Sequence, residues 1–501
     1  MRPTLTRPWF AGVLLLALLL GARPLRADPI DWQRVGDEAV GRLQTYVRID
    51  TTNPPGNETP AAELLRGWLA AEGIEARLYD PMGNPQRQAL VARLPGRSGR
   101  TIVLMSHSDV VPAVAGEWTH APFGGDVSDG ALYGRGTLDT KELGILQLMT
   151  LLVLHRQGIQ PQNGLLLLIE PDEEESAGGV KGMLAKYPDL FGNVRMVLNE
   201  GSTGTLNVVA PDTTVFFVQT AEKGPAWMKL TAHGYTGHAS VPVPDNAVTT
   251  MARALDRIAA YETPLRPPPA VVELFATLAE RQPFPNSLVM RHIDNPFVQT
   301  VFRKRLTERP LINAMLRTTI SLTGVHGGYK TNVIPGEVEA TLDCRVIVGD
   351  SGEALRRELE RVVNDPRVTI ALMQDGAANE SPVDPTLMAV VRDVVGRHAP
   401  GSLVAPLMTS GVTDSAYFRQ RSVPAYGFIP IALSEAELAG MHGKDEHVAL
   451  DRFKLGVRMY YETVTKLAGV EAPVAGALAA PASSVSDLVA SSDPTGSGPQ
   501  K

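Results

Sequence analysis

Two polar residues in the segment SHSDVVP, residues 106–112, have the spacing of a metal ligand and a group that orients it. His107 and Asp109 are two positions apart, so on a strand their side chains lie on one face. The apolar run 101–105 predicts a buried parallel strand that ends at this pair, where open α/β sheets bind ligands. A metal-bound imidazole usually donates its second ring N–H to a carboxylate or carbonyl, and Asp109 is placed to accept it. Alone, the pair also fits a satisfied polar contact.

Four further segments carry residue types that bind divalent cations. Asp139 lies in the Gly-rich segment GRGTLDTK, before an apolar helix predicted over about 143–154, and a short carboxylate at such a bend can bridge two cations. An apolar strand, LLLLIE, runs into the acidic run 172–175, and a second strand ends at Glu200. His442 comes last, in MHGKDEHV. Together these segments supply a mixed set of carboxylates and imidazoles.

The acidic run 172–175 has two interpretations. An isolated charge run is typical of a solvated loop. Here it ends a core strand, where uncompensated carboxylates would repel one another and lose hydration. A bound dication removes that cost, so the set as a whole predicts a metal site.

The elements that must position these residues fall into two kinds. Residues from about 30 to 222 alternate helices with buried strands, which predicts an α/β sheet. From Lys223 to about 374 the order is β-α-β-β-α-β, the ferredoxin-like arrangement, with a Pro-rich stretch and a helical insertion inside it. The chain returns to α/β from about 384, and His442 belongs to this last part. The candidate ligands therefore straddle an inserted domain.

We predict an α/β catalytic domain with a mixed sheet, interrupted by an inserted ferredoxin-like α+β domain. The predicted segments are a signal peptide at 1–27, the first part of the catalytic domain at 28–222, the inserted domain at 223–380, the second part of the catalytic domain at 381–470 and a disordered tail at 471–501.

Composition limits the class of protein. The chain has 501 residues and a formal net charge of −7 without a basic stripe, which argues against a nucleic-acid partner. Cys344 is the only cysteine, so an intrachain disulfide is impossible. The tail from about 471 is rich in Ala, Pro, Ser and Gly, a composition typical of flexible segments.

The amino terminus predicts secretion or a periplasmic location. Two arginines precede the apolar run 10–20, and Ala22 and Ala27 offer small residues for cleavage. The run is short for a membrane span, so we expect no membrane partner after cleavage. Leu25 and Leu20 make the cleavage site imperfect, and an uncleaved N-terminal membrane anchor is the alternative.

The motifs together resemble the M20 family of zinc peptidases and amidohydrolases. The resemblance covers about 31–469, nearly all of the mature chain, and the long segment from WTHAPFGG to GRG is most similar to the carboxypeptidase S and N-acyl-amino-acid hydrolase branch. In order, the matching segments are HSDVVP, WTHAPFGG, DGALYGRGTLDTK, DEE, NEG, GHASVP, TNVIPGEVEATLDCR and MHGKDEHV.

The resemblance implies a two-zinc site. His107 and Glu200 would bind one ion and Glu174 and His442 the other, with Asp139 bridging them. Two Zn²⁺ per subunit are expected, and Co²⁺ or Mn²⁺ can substitute. Two ions about 3.5–4 Å apart can activate a shared water and polarise a carbonyl.

The resemblance also implies a general base. Glu173 would take the proton of the attacking water and pass it to the leaving amine, with Asp109 fixing the imidazole of His107. This assignment uses the register Asp172-Glu173-Glu174. Shifting it by one residue would make Glu174 the base and Glu175 the ligand.

In the resembling family the inserted domain serves as lid and dimer interface, so a homodimer is expected. His238, in GYTGHASVP, would stabilise the oxyanion, often in the partner's site; taken alone it fits a turn histidine that bonds its own loop. Arg345 would clamp a substrate carboxylate, although a strand Arg is usually a surface ion pair. The remaining expected substrate-binding positions are Asn332, Gly411, Thr413 and Asp414.

We therefore interpret the chain as a metal-dependent hydrolase of a peptide or N-acyl amide bond next to a free carboxylate. Its substrate would be a small peptide or an N-acyl amino acid. The alternatives are a dipeptidase that recognises a free amino terminus and a peptidase-like binding protein without catalysis. The helical insertion from 263 to about 316 fits either an acyl groove or a cover over the dimer interface, and the sequence does not choose between them.

Overall fold

The computed structural model describes residues 29–209 and 212–470. The predicted signal peptide and the predicted tail lie outside these residues. The first part of the chain forms helices α1 Trp32–Val47, α2 Thr59–Ala71, α3 Lys141–Arg156 and α4 Gly178–Lys186, and strands β1 Ala76–Tyr79, β2 Ala89–Leu94, β3 Thr101–His107, β4 Asp126–Ser128, β5 Ala131–Tyr133, β6 Gly164–Glu170, β7 Val194–Asn199, β8 Gly204–Leu206 and β9 Thr214–Glu222.

The middle part contains a second set of elements. These are helices α5 Ala247–Ala260, α6 Pro269–Leu278, α7 Asn286–Arg291, α8 Pro296–Thr307, α9 Pro310–Leu316 and α10 Gly352–Val363, and strands β10 Gly224–His233, β11 Gly237–His238, β12 Thr319–Gly327, β13 Val333–Ile334, β14 Glu337–Val346 and β15 Val368–Asp375.

The last part returns to the first sheet. Its elements are helices α11 Pro385–His398, α12 Ser415–Arg419, α13 Glu435–Gly440 and α14 Leu450–Leu467, and strands β16 Asn379–Glu380, β17 Leu403–Thr409, β18 Ala425–Gly427, β19 Ala432–Leu433 and β20 His447–Ala449. Short 3-10 turns lie at Ala115–Glu117, Pro188–Phe191 and Ala279–Arg281.

The large sheet is mixed, with the order β1-β2-β6-β3-β7-β18-β9-β8-β19 and with β16 and β17 paired to β9. Strand β3 is parallel to both β6 and β7, whereas β2 is antiparallel to β6. Strand β6 is buried along its whole length, which explains its continuous run of leucines. Helix α3 is likewise buried from Lys141 to Leu154 because it packs between the sheet and helices α1 and α14.

The smaller sheet has the order β12-β14-β10-β15, and all its pairs are antiparallel. Helices α5 and α10 cover one face, with an apolar core that includes Met228, Leu230 and Leu342. This is the strand order of the ferredoxin-like arrangement. The predicted fold class, a mixed α/β domain with an inserted α+β unit, is confirmed. Cys344 is buried in this core as a free thiol.

The insertion helices α6 to α9 pack on the large sheet. Val271 and Phe275 of α6 share an apolar cluster with Ala221 of β9 and Met408 of β17. Burying each such large side chain contributes about 1.5–3 kcal/mol of transfer free energy. The helices therefore lie next to the carboxyl ends of β9 and β17. In the described segments no helix combines the length and apolar character that crossing a bilayer requires.

Candidate metal centre

Three neighbouring strands end at one edge of the large sheet. His107 is the last residue of β3 and Glu170 the last residue of β6, and these two are register partners. Glu200 comes directly after Asn199, where β7 ends. Because β3 is parallel to both neighbours, the three acidic or basic side chains meet at the same edge. The predicted position at the carboxyl ends of buried strands is confirmed for this edge.

The turn that carries Asp139 is tied to the loop that carries His442. The Glu446 carboxylate accepts the backbone N–H groups of Gly136 (3.0 Å) and Leu138 (2.7 Å) and pairs with Arg135. The Arg135 guanidinium also donates to the Gly443 carbonyl at 2.9 Å. The buried ion pair thus links two segments more than 300 residues apart, and removing one partner of such a pair typically costs about 3–5 kcal/mol.

Asp139 lies between two histidines. Its Oδ1 is 3.0 Å from Nε2 of His107, and its Oδ2 is 2.9 Å from Nε2 of His442. The same His442 nitrogen is 3.3 Å from Oε1 of Glu174, and the His107 nitrogen is 3.9 Å from Oε2 of Glu200. Each carboxylate oxygen of Asp139 therefore faces a different imidazole, and each imidazole has its own glutamate. This is the arrangement expected of a carboxylate that bridges two cations.

Two overlapping groups have ligand atoms within 4.8 Å of one another. One is His107, Asp139 and Glu174; the other is His107, Glu173 and Glu200. By distance alone, Glu173 is therefore as close to the centre as the glutamates predicted to be ligands. Glu175 belongs to neither group and is exposed. The geometry accordingly favours the register in which Glu173 and Glu174 act.

Asp109 orients the site differently from the sequence expectation. Nδ1 of His107 is 2.9 Å from the main-chain oxygen of Asp109 but 3.6 Å from its carboxylate, so the carbonyl is the hydrogen-bond partner. The carboxylate instead accepts the backbone N–H groups of Glu173 and Glu174, both at 3.1 Å. Because the carboxylate oxygens of Asp109 accept these N–H groups, the main-chain oxygen is the one that contacts the imidazole of His107. Asp109 thus positions His107, the predicted ligand, together with the acidic run.

Sequence reasoning missed the groups that hold Asp109 and the acidic run. Asn53 donates to Oδ2 of Asp109 (2.8 Å) and to Oδ1 of Asp172 (3.0 Å), and Arg87 pairs with the same Asp172 oxygen at 2.9 Å. Arg87 also makes a buried pair with Glu58. Asp172 is thereby an anchor of the loop and lies outside both ligand groups. Local patterns carried no signal for these contacts, since Asn53 lies 56 and 119 positions from its partners.

The charges at the centre are unbalanced without a cation. Burial and the neighbouring carboxylates raise the pKa of both Glu173 and Glu200 well above the usual range. Hydrogen bonds that the His442 ring donates to the carboxylates of Asp139 and then Glu174 raise the pKa of His442 to about 10. Oε1 of Glu174 is buried and faces Nε2 of His442 at 3.3 Å. Protons on the histidines offset part of the negative charge, and a metal ion that displaces them would offset more. The donor set therefore fits divalent cations.

A second carboxyl pair lies beside the centre. Asp414 and Glu170 share a hydrogen bond; burial is the main cause that raises the pKa of Glu170 to about 8 and that of Asp414 well above its usual value. Asp414 was predicted from the sequence and Glu170 was not, although its position at the end of β6 was an available signal. Thr413 donates its hydroxyl hydrogen to the buried Glu222, and Gly411 is exposed in the same loop.

The predicted residues of the inserted unit are not part of these groups. His238 lies in the two-stranded sheet β11–β13, and its Nδ1 accepts the N–H of Ser240 at 3.1 Å. Asn332 is adjacent, since its carbonyl accepts the N–H of Ala239 at 3.0 Å. Arg345 of β14 makes a two-point ion pair with Asp343, at 2.9 and 3.1 Å.

Known proteins resemble this chain in sequence and in fold. A carboxypeptidase S-like protein of Dictyostelium discoideum ("Probable carboxypeptidase S-like 2") is 29% identical over 375 residues, 73% of this chain and 71% of the relative. The N-fatty-acyl-amino acid synthase/hydrolase PM20D1 of Homo sapiens is 28% identical over 384 residues, 74% of this chain and 75% of the relative. The crystal structure of an M20 family metallo-carboxypeptidase from Sulfolobus solfataricus superposes with a TM-score of 0.62 at 16% identity, covering 86% of this chain and 99% of that chain.

The family model of peptidase family M20/M25/M40 matches residues 103–466. That range contains every predicted metal ligand and the predicted base and runs through the inserted unit, whereas the supporting residues Asn53, Glu58 and Arg87 precede it. The strand ends, the two histidines and the acidic run thus all fall within one family pattern. The chain belongs to peptidase family M20/M25/M40 and is a hydrolase of that family.

Proposed function

We propose that this protein is a zinc-dependent hydrolase of the amide bond in a small peptide or N-acyl amino acid that ends in a free carboxylate. The observation that carries the proposal is the position of Asp139, whose two oxygens face His107 and His442 at 3.0 and 2.9 Å. His107 and Glu200 would hold one ion, and Glu174 and His442 the other. Bound zinc supplies Lewis acidity and a water of lowered pKa.

Glu173 is the proposed general base. Its carboxylate takes a proton from the water whose oxygen attacks the amide carbon, and it returns that proton to the nitrogen when the C–N bond breaks. Its backbone N–H is held by the Asp109 carboxylate at 3.1 Å, which fixes the start of the acidic loop. Burial and the negative neighbours Asp414 and Glu174 favour a proton on Glu173, and that tendency suits a group that must accept one.

His238 and Arg345 are the proposed contacts to the substrate. Because Nδ1 of His238 accepts the Ser240 N–H, the neutral ring carries its proton on Nε2 and can donate it to an oxyanion. Arg345 would exchange its Asp343 partner for the substrate carboxylate, because the planar fork of its guanidinium matches planar anions. Asn332 and the loop of Gly411 and Asp414 complete the proposed binding set.

A substrate panel tests the proposal. The mature chain, loaded with zinc, cobalt or manganese, is assayed with N-acyl amino acids, with N-blocked dipeptides and with dipeptides that have a free amino group. Hydrolysis of the first two groups is expected, with loss of turnover when the carboxylate is amidated. Preference for free amino termini would favour the dipeptidase alternative, and no turnover with any metal would contradict the enzymatic proposal.

A homodimer through the inserted unit is part of the proposal. Strand β12 is an edge strand of the smaller sheet and exposes Leu322 and Val325. Such an edge is a template for pairing with another chain, and a second copy would cover it. Sedimentation of the purified mature chain measures the assembly, and a monomer at micromolar concentration would contradict it.

We also propose a secreted or periplasmic location. The support is the sequence pattern alone: two arginines, the apolar run 10–20 and small residues near position 27. Amino-terminal sequencing of the protein recovered from its native compartment tests this. An intact Met1 terminus in a membrane fraction would indicate the anchor alternative.

A further inference from the structure

Helices α6 to α9 and strands β9 and β17 line a cavity of about 760 Å³ that is partly open to solvent. This volume is in the range of pockets that bind small molecules, roughly 300–1,000 Å³. Its wall is mostly aliphatic and aromatic and includes the side chains of Leu274, Leu278, Met290, Ile312, Met315 and Leu407.

The cavity adjoins the metal centre. Gly201, in its wall, directly follows the predicted ligand Glu200, and Thr413, also in its wall, directly precedes Asp414. Gly201 has φ of +113°, and a Cβ there would lie 2.6 Å from the side chain of Gln219, so glycine is required at this junction. The chain segments that form the centre therefore also form one end of the cavity.

Three charged residues of the wall, Arg305, Glu308 and Arg309, are exposed to solvent, so their charges lie outside the buried part of the cavity. Lys223 is a buried cation in the wall, but its three N–H donors are used by the carbonyls of Ala314 and Arg317, both at 3.0 Å, and by the Thr319 hydroxyl at 2.9 Å. These bonds attach the end of the insertion to the large sheet. Water in a mostly apolar space of this kind finds few hydrogen-bond partners. An apolar group is the occupant that such a wall stabilises.

We propose that this cavity holds the long apolar acyl chain of an N-acyl amino acid whose amide bond lies at the metal centre. The inference rests on the proposed function and narrows its substrate class. Each methylene that leaves water for the cavity favours binding about four-fold. A flexible, unbranched acyl chain of about 8 to 12 carbons therefore gains binding free energy without a polar partner in the wall.

Chain-length dependence is the first test. The zinc-loaded full chain is assayed with N-acetyl-, N-octanoyl- and N-dodecanoyl-leucine, each below its critical micelle concentration. The value of kcat/KM is expected to rise at least about 100-fold from acetyl to dodecanoyl, a conservative fraction of the methylene contribution. A flat or falling series would overturn the acyl-chain assignment.

Variants of the wall are the second test. Met290→Trp places an indole in the cavity, and the ratio of dodecanoyl to acetyl turnover is expected to fall at least about ten-fold. Ala314→Leu, a smaller intrusion from α9, should lower the same ratio less, and it serves if Met290→Trp fails to fold. Phe297→Trp, at an exposed position of α8 outside the wall, is the matched control and should keep the wild-type ratio. Equal ratios in all three variants would contradict the assignment.

Binding without turnover separates the two proposals. The zinc-loaded Glu173→Gln protein is titrated with N-acetyl- and N-dodecanoyl-leucine by calorimetry, and at least about ten-fold tighter binding of the longer chain is expected, weakened by Met290→Trp. If the wild type hydrolyses none of these compounds but this binding pattern holds, the proposed function fails and the acyl cavity stands. If N-acetyl-leucine is hydrolysed without any length dependence, the cavity assignment alone fails.

Discussion

Replacing Glu173 by Gln is expected to lower kcat at least about 10²-fold while zinc content stays near that of the wild type. Gln keeps the size and the backbone contact of Glu173 with Asp109, but its amide cannot accept the proton of the attacking water. The carboxylate is one of three ligand-type groups within 4.8 Å of one another, so distance alone does not separate a base from a ligand. Metal analysis of the purified variant, beside its steady-state rate, makes that separation.

The matched control is Glu175→Gln, the next-but-one residue on the same acidic run. Glu175 is exposed and belongs to neither ligand group, so its variant should keep both metal content and kcat within about two-fold of the wild type. Loss of zinc in Glu173→Gln would identify Glu173 as a ligand. Loss of zinc in Glu175→Gln together with an active Glu173→Gln would require the register shifted by one residue.

The parts of the site that follow apolar strands could be predicted from sequence because their signals are local. A buried strand is recognisable from its own residues, and the polar residue at its end, such as His107 or Glu200, is then placed at the sheet edge. The order of elements from β10 to β15 was predictable for the same reason. The Gly-rich bend indicated that Asp139 could bridge two cations, but its pairing with His442 followed only from the family resemblance, since no local pattern brings the two together.

The supporting contacts could not be predicted because their partners are distant in the chain. Arg135 and Glu446 are 311 positions apart, and the sequence around either residue alone is typical of a surface charge. The role of the Asp109 carboxylate was also missed, because the two N–H groups that it accepts become adjacent only after β3 and β6 pair. The sequence of the insertion helices did not show whether they cover a dimer interface or line a cavity. In the structure they pack on β9 and β17.

The largest expected loss comes from Asp139→Asn. The amide keeps one oxygen, so it can face His107 or His442 but cannot offer a ligand oxygen to both sides of the centre. Zinc content is expected to fall, and kcat/KM at least about 10³-fold, equivalent to about 4 kcal/mol of transition-state stabilisation. Asp109→Asn is the comparison of equal size and charge change. Because Asp109 positions ligands without being one, its loss should be about 10- to 100-fold.

Thermal unfolding with added zinc distinguishes loss of the metal centre from loss of the fold. A cation that binds only the folded state stabilises it by about 4 kcal/mol at a thousand times its Kd, so zinc should raise the Tm of the metal-depleted wild type. In Asp139→Asn this rise should largely disappear while the metal-depleted proteins unfold cooperatively in both cases. A wild-type response to zinc in the variant would contradict the bridging role.

Burial disfavours ionised Asp139, yet hydrogen bonds from both histidines hold its pKa below the usual range, so the carboxylate is already charged to receive cations at neutral pH.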